Sequence, residues 1–361
     1  MTMAAKTDVS PLRVAVVGAG FVAPHHLAGW RTLPEVELVG LASPDPVRNA
    51  ELARQFGIPA TYADLETMLE DQRPHVLDIC TPPHLHAEHA AAAARRGIHV
   101  LCQKPVAPDL ETARAMRDFA RQQNVRLMVH ENFRFRPWYR EAKRQLDCGI
   151  LGEVFYVRSD GRFAGTVTSA EHPHTPWSIA RQPSFVEPER LLLLESVIHQ
   201  IDVCRYLFGE PSSVYAQARR ISPQVKGEDL VSLSMRFGET IAVIERSYAS
   251  RGYSPPPMAS ETLTVEAERG ALFIDREGRL RIEIDVPGER RTLCPEIELE
   301  GAYRRSYAAT IRHFVEALRH GAPFETDIDD NLRTLGAVIA AYGSLESGQV
   351  IQLNEARETG K

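Results

Sequence analysis

Along the first third of the chain, short apolar runs alternate with longer stretches in which apolar residues recur every three or four positions. The runs "RVAVVGAG", "VELVGLAS", "HVLDICTP", "HVLCQKP" and "VRLMV" read as buried strands, and "VRNAELARQFG", "HAEHAAAAARRG" and "LETARAMRDFARQQ" between them read as helices. Strands alternating with helices predict a doubly wound parallel sheet covered on both faces, here an N-terminal domain over residues 1–130. After Val129 the rhythm changes. "WYREAKRQLDCG" reads as a helix stopped by Gly149, and "EVFYVRSDGRF" as a strand. Later runs, among them "DLVSLSMRFG", "TIAVIERSYAS", "ETLTVEAERG" and "LRIEIDVPG", alternate in polarity with no helix between most of them. They predict a second α/β domain over residues 131–361 with a large, mostly antiparallel open sheet, closed by two helical patterns that each end at a glycine.

Composition narrows the class. A chain of 361 residues is long enough for two cores, and 43% hydrophobic with 25% charged residues is the balance of a globular protein. The net charge of -6 and the scattered 42 Lys and Arg leave no footprint for a nucleic-acid partner. The start, "MTMAAKTDVSPLRVAVVGAG", has no apolar segment long enough for a signal sequence or a membrane span, so the cytoplasm is the expected location. The five cysteines are scattered without a C-x-x-C pair, which reads as reduced thiols rather than a disulfide framework or a zinc site.

Candidate chemistry starts at "VAVVGAGFVA", where Gly18 and Gly20 follow a strand and precede a helix, with Ala23 in the third small position of G-x-G-x-x-G/A. Glycines there let backbone N–H groups approach a pyrophosphate, and the helix N-terminus favours its charge, which predicts a Rossmann domain that binds NAD or NADP. The second strand ends at Ser43, where NAD enzymes usually carry an acid; Asp45 and Arg48 nearby pull in opposite directions, which leaves NAD and NADP both open, and with no arginine beside Ser43 the balance leans slightly to NAD. Thr81 ends the fourth strand at the edge where such folds bind ligands. His84, His86 and His89 follow it, with no acid or cysteine cluster to complete a metal site, and no metal is expected. At the next edge, Lys104 follows "HVLCQ" and precedes Pro105, so its ammonium is expected to point into the nicotinamide crevice.

In the second domain, "RLLLLESVIHQIDVCRYLFGEP" sets Glu195, His199 and Asp202 on one face if the run is helical. An acid beside an imidazole fixes its tautomer and raises its basicity, yet the same spacing serves a core histidine satisfied by a neighbouring acid. Taken as chemistry, His199 accepts the proton of an alcohol, Lys104 stabilises the forming alkoxide, and Glu195 orients His199.

These residues resemble the Gfo/Idh/MocA oxidoreductases. The likeness runs through the glycine turn, "TPPHLHAEHA", "QKP" where the family has Glu-Lys-Pro, "ENFRFRP", and the E-x-x-x-H-x-x-D run. It implies Lys104 and His199 as the catalytic pair, with Glu195 in place of the family's usual aspartate. It implies cofactor contacts from Gly18, Gly20, Phe21, Val22, Ser43, Thr81, His86 and Gln103, and an oligomer, a homodimer or homotetramer. Gln103 and Val197 depart from the family's glutamate and glycine. "CQKPVAP", "MVHENFRF", "VKGED" and "SYAS" are also similar to the D-apiose dehydrogenases within the family. That likeness implies a small aldose oxidised at its anomeric carbon to a lactone, with Glu131, Asn132, Trp177 and Arg181 as substrate contacts. Two further readings remain: a redox-neutral sugar-acid isomerase or glycosidase using transient oxidation, and a sugar sensor that binds the dinucleotide without chemistry.

Overall fold

The computed structural model describes residues 10–253 and 261–353, so the first nine residues of the chain start lie outside it. The chain divides into two compact units that part between His130 and Glu131.

The first unit holds a six-stranded sheet of β1 (Leu12–Val17), β2 (Val36–Ala42), β3 (Thr61–Tyr62), β4 (Val76–Ile79), β5 (His99–Gln103) and β6 (Leu127–His130). The strand order is β3-β2-β1-β4-β5-β6 and every pair is parallel. The crossovers carry α1 (Ala23–Trp30), α2 (Pro46–Phe56), α3 (Leu65–Gln72), α4 (His86–Ala94) and α5 (Leu110–Gln122). The strands are continuous apolar runs because both faces are covered; Val14, Val16, Leu77, Ile79 and Leu101 are fully buried. Asp45, Asp64 and Asp109 start α2, α3 and α5 by accepting hydrogen bonds from first-turn N–H groups.

Residues 307–329 also belong to this unit, which corrects the expectation that everything after residue 130 is one domain. The reason is packing. Helix α9 (Ala302–His320) sets Ile311 where a Cβ on Gly29 of α1 would stand only 2.7 Å from it, and Phe314 meets Trp30 edge-on. The segment beyond bonds to the edge strand β6: Val129 N–H donates to Thr326 O at 2.8 Å, and Thr326 Oγ1 donates to Val129 O at 2.7 Å.

The second unit is built on nine strands: β7 (Val154–Arg162), β8 (Ser213–Arg219), β9 (Leu230–Phe237), β10 (Thr240–Ser247), β11 (Glu261–Ala267), β12 (Gly270–Ile274), β13 (Leu280–Val286), β14 (Glu289–Leu293) and β15 (Ile351–Gln352). Their order is β14-β13-β12-β11-β7-β10-β9-β8-β15. The meander is antiparallel as expected, apart from the β7–β10 pair, which is parallel. Alternate residues such as Val157, Leu233, Ile244, Val265 and Ile282 form one core with α6 (Pro137–Asp147), α8 (Ile198–Phe208) and α10 (Ile328–Ser347). Residues of the opposite set include Arg158, Asp160, Arg162 and Glu245, linked by ion pairs at 2.7 to 3.1 Å. Among the described residues, no helix is long and apolar enough to cross a membrane.

Candidate active site

The glycine turn sits where the strand order reverses, between β1 and β4. Gly18 has φ +102°, and a Cβ there would lie 2.7 Å from the Cys80 carbonyl and 2.9 Å from the Thr81 nitrogen. Only glycine fits this backbone and this closeness. A Cβ on Gly20 would meet nothing within 4 Å, so the chain leaves open space just ahead of α1. Phe21 and Val22, both half-buried, lead into that helix. Gly18, Ser43, Thr81 and His89 line one cavity of about 280 Å³. A larger apolar groove of about 440 Å³ between α4 and α5 includes none of them. Backbone at a glycine turn, a helix N-terminus and two hydroxyl side chains around one cavity fit a dinucleotide. Ser43 Oγ accepts from Asp45 N–H at 3.3 Å, and Asp45 is committed to capping α2, so neither Ser43 nor Asp45 supplies a cation for a 2′-phosphate.

Two expected cofactor contacts turn out to be spent inside the domain. His86 is fully buried, with Nε2 2.7 Å from Thr81 O and Nδ1 3.2 Å from Val106 O, and burial lowers its pKa. Its part is to hold the Thr81 loop against the segment after Lys104. The side chain of Gln103 is also buried, 2.9 Å from His26 Nε2 and 2.7 Å from the Lys104 nitrogen. Lys104 itself is half-buried at the carboxyl end of β5, and the peptide that joins it to Pro105 is cis. Thr81 Oγ1 lies 3.2 Å from His89 Nδ1.

In the second unit, His199 stands in the first turn of α8, just after a π-helical turn at Leu193–Val197. Such turns recur at functional sites. Its Nδ1 is bound by the carboxylate of Glu131, which is fully buried. An imidazole nitrogen makes one in-plane hydrogen bond, so the orienting partner at Nδ1 is Glu131, where the sequence pointed to Glu195. Glu195 is half-buried within the π-helical turn. Asp202 does not serve His199 either: it accepts from Arg134 Nε at 2.7 Å and from Thr334 Oγ1 at 3.1 Å. Burial pushes the Asp202 carboxyl up to about 6, against the pull of Arg134.

Phe133 stacks on the His199 ring, with centroids 3.8 Å apart and planes 2° from parallel. The Arg136 guanidinium carbon lies 3.3 Å from the Phe133 centroid, which leaves it only the opposite ring face. Arg136 is in turn paired with buried Glu261, which also accepts from Tyr139 at 3.3 Å. Beyond the density of aromatic and arginine residues in "ENFRFRP", nothing along the chain signals this sandwich. Of the expected substrate contacts, Glu131 is the His199 partner and Asn132 is buried, its Nδ2 donating to Ser306 Oγ at 2.7 Å. In the short helix α7 (Trp177–Arg181), Arg181 lies over Trp177 at 4.1 Å, and Trp177 meets Phe163 edge-on. Lys104 belongs to the first unit and His199, Glu195, Glu131, Asn132, Trp177 and Arg181 to the second.

A parallel sheet in this order, with a glycine turn at its switch point and a cavity at its carboxyl edges, defines an NAD-binding oxidoreductase. The chain belongs to the GFO/IDH/MocA oxidoreductase family: the model of its NAD-binding Rossmann fold matches residues 12–131, and that of its C-terminal domain matches residues 139–273. The chain is 31% identical to a D-apiose dehydrogenase of Paraburkholderia graminis over 97% of this chain and 92% of that one. It is 27% identical to a scyllo-inositol 2-dehydrogenase (NAD(+)) of Bacillus subtilis over 96% and 97% of the two chains. An oxidoreductase from Agrobacterium radiobacter, crystallised with NAD+, L-tartaric acid and magnesium, superposes with a TM-score of 0.85 at 26% identity, covering 94% of this chain and 98% of that one.

Proposed function

We propose that the protein is a dehydrogenase of sugars or polyols that oxidises a carbinol carbon, with a small aldose such as D-apiose, oxidised at its anomeric carbon to the lactone, as the substrate to try first. The observation that carries this reading is the buried Glu131–His199 pair in a chain whose other unit holds the dinucleotide turn. A bound nicotinamide supplies the hydride acceptor. The work of the chain is to handle the proton and the oxygen charge. With Nδ1–H donated to Glu131, His199 presents Nε2 as the atom that takes the hydroxyl proton. Lys104, as an ammonium, stabilises the negative charge that grows on oxygen as the C–H bond breaks. The carbon loses two electrons and one hydrogen as hydride, and the second hydrogen leaves as the proton on His199. Glu195, Trp177 and Arg181 are the proposed sugar contacts, an acid and an aromatic–cation pair of the kind that hydroxyls and sugar faces recognise. NAD is the proposed cofactor, since Ser43 and Asp45 bring no positive charge. The D-apiose reading rests on the relative at 31% identity. We also propose a cytoplasmic homodimer or homotetramer, in keeping with five free thiols.

The test is absorbance at 340 nm on mixing the protein with NAD, then NADP, across pentoses, hexoses, inositols and sugar acids, beside the Lys104→Ala and His199→Asn variants. Each variant is expected to lower turnover by about 10² to 10⁴. Near-normal turnover in Lys104→Ala overturns its role, and product formed with no NADH accumulating moves the protein to redox-neutral chemistry.

A further inference from the structure

The end of β5 contains a chain of hydrogen bonds that no role above requires. Asp78 on β4, fully buried, accepts from the Trp30 indole N–H at 2.6 Å and from His26 Nδ1 at 2.9 Å. His26, also fully buried, turns its Nε2 to the Gln103 amide at 2.9 Å. Gln103 Oε1 accepts from the Lys104 backbone N–H at 2.7 Å.

The polarity of this chain has one solution. A peptide N–H only donates, so the amide oxygen of Gln103 faces Lys104 and its NH₂ faces His26. His26 Nε2 is then an acceptor without a proton, and the ring's single proton sits on Nδ1, donated to Asp78. The ionisable groups packed around the pair are Cys80 and Cys102 on the Asp78 side, His130 tilted 37° against the His26 ring with centroids 4.1 Å apart, and Tyr307 at 5.4 Å. Burial drives both thiols well above their ordinary pKa, so they add no charge. A glutamate at 103 has no hydrogen to give to His26 Nε2. It still accepts from Lys104, but it calls for a second proton on His26, an imidazolium between two carboxylates. That is the difference between this chain and the Glu-Lys-Pro pattern it departs from.

We propose that Gln103 is a positioning residue for Lys104, tying the peptide ahead of that lysine to Asp78 through a His26 that accepts at Nε2 and donates from Nδ1. The inference rests on the reading of Lys104 as the alkoxide-stabilising group, and its test does not depend on turnover. The full chain has only five lysines, so ¹⁵N-lysine labelling gives a simple amide spectrum in which Lys104 is assigned by its loss in Lys104→Arg. In ¹⁵N-histidine-labelled protein, His26 is assigned by its loss in His26→Gln.

In the unmodified enzyme His26 is expected as the Nδ1–H tautomer. In Gln103→Glu the Lys104 amide keeps its protection from hydrogen exchange while a proton appears on His26 Nε2. In Gln103→Leu the Lys104 amide exchanges faster by roughly fivefold or more, the worth of one hydrogen bond. A His26 protonated on Nε2 in the unmodified enzyme overturns the proposal even if neither variant folds. So does an unchanged Lys104 exchange rate in a folded Gln103→Leu. Loss of turnover in Lys104→Ala beside either result leaves the catalytic reading standing and removes only the relay; the expected spectra beside an active Lys104→Ala do the reverse.

Discussion

Glu131 and His199 lie 68 positions apart in the chain and share one buried hydrogen bond, carboxylate to Nδ1, with Phe133 stacked against the same ring. The carboxylate fixes which nitrogen carries the proton, and the phenyl ring fixes the plane. Glu131→Gln keeps the shape but removes the charge that supports a protonated His199. Turnover on D-apiose, or on another sugar of the panel that is oxidised, is expected to fall by about 10² to 10⁴. Glu195→Gln, which leaves Nδ1 engaged, is expected to act mainly on KM. Initial rates of NADH formation for the two variants check the assignment, and a larger loss of kcat in Glu195→Gln would return the orienting role to Glu195.

The two glycines of the turn are expected to fail differently. Gly18→Ala places a methyl against the Cys80 carbonyl in a left-handed backbone, so it destabilises the fold by at least about 1–3 kcal/mol, read as a lower melting temperature. Gly20→Ala meets no protein atom, so melting stays within about 2 °C while NADH affinity, followed by fluorescence titration, weakens about tenfold. Equal melting losses in both would show that the open space at Gly20 is not the pyrophosphate site.

Acid is expected to weaken the first unit. Burial lowers the pKa of His86, His89 and His99 in the folded state. The unfolded chain therefore binds more protons just below the ordinary histidine value of about 6.5. Stability is fully present above that value and is lost as the pH falls from it towards the lowered folded values. Unfolding midpoints by circular dichroism between pH 8 and 5 check this, and His86→Gln is expected to flatten part of the slope.

Arg134 faces a carboxylate that burial alone would not tolerate ionised. Arg134→Met leaves Asp202 with only the Thr334 hydroxyl and, at 4.0 Å, the Arg205 guanidinium, and is expected to cost about 3–5 kcal/mol in denaturant unfolding at pH 8. The loss is smaller at pH 5, where the Asp202 carboxyl of the variant is neutral in the folded state and less of the unfolded-state ionisation opposes it. An equal loss at both values would mean that Arg134 acts by packing alone.

The periodic features of the sequence carried well into the structure because they are local. The alternation that predicts β1, β2, β4, β5 and β6, the glycine turn, and the helices stopped at Gly149, Gly321 and Gly348 each depend on residues a few positions apart, whereas the two-residue β3 is too short to show a pattern. Pairings between elements did not carry. Glu195 and His199 fit a helical spacing, but the hydrogen bond to Nδ1 is made by a residue from another element that spacing along one helix cannot reveal. The His26–Asp78 pair, 52 positions apart, was equally invisible, and so was the consumption of Gln103 and His86 inside the domain. The parallel β7–β10 pair escaped for a related reason: alternation tells which residues face the core, not which way the neighbouring strand runs.

The return of residues 307–329 to the first unit means that the dinucleotide-binding body is encoded in two separate stretches of the gene. A gene cut after codon 130 yields a sheet whose edge strand lacks its partners at Thr326 and whose Trp30 loses Phe314, leaving apolar surface bare. Recombination at a single crossover therefore cannot exchange this body intact between relatives. The N- and C-terminal stretches must be inherited together, and substitutions at Gly29 and Ile311 are expected to compensate one another across lineages.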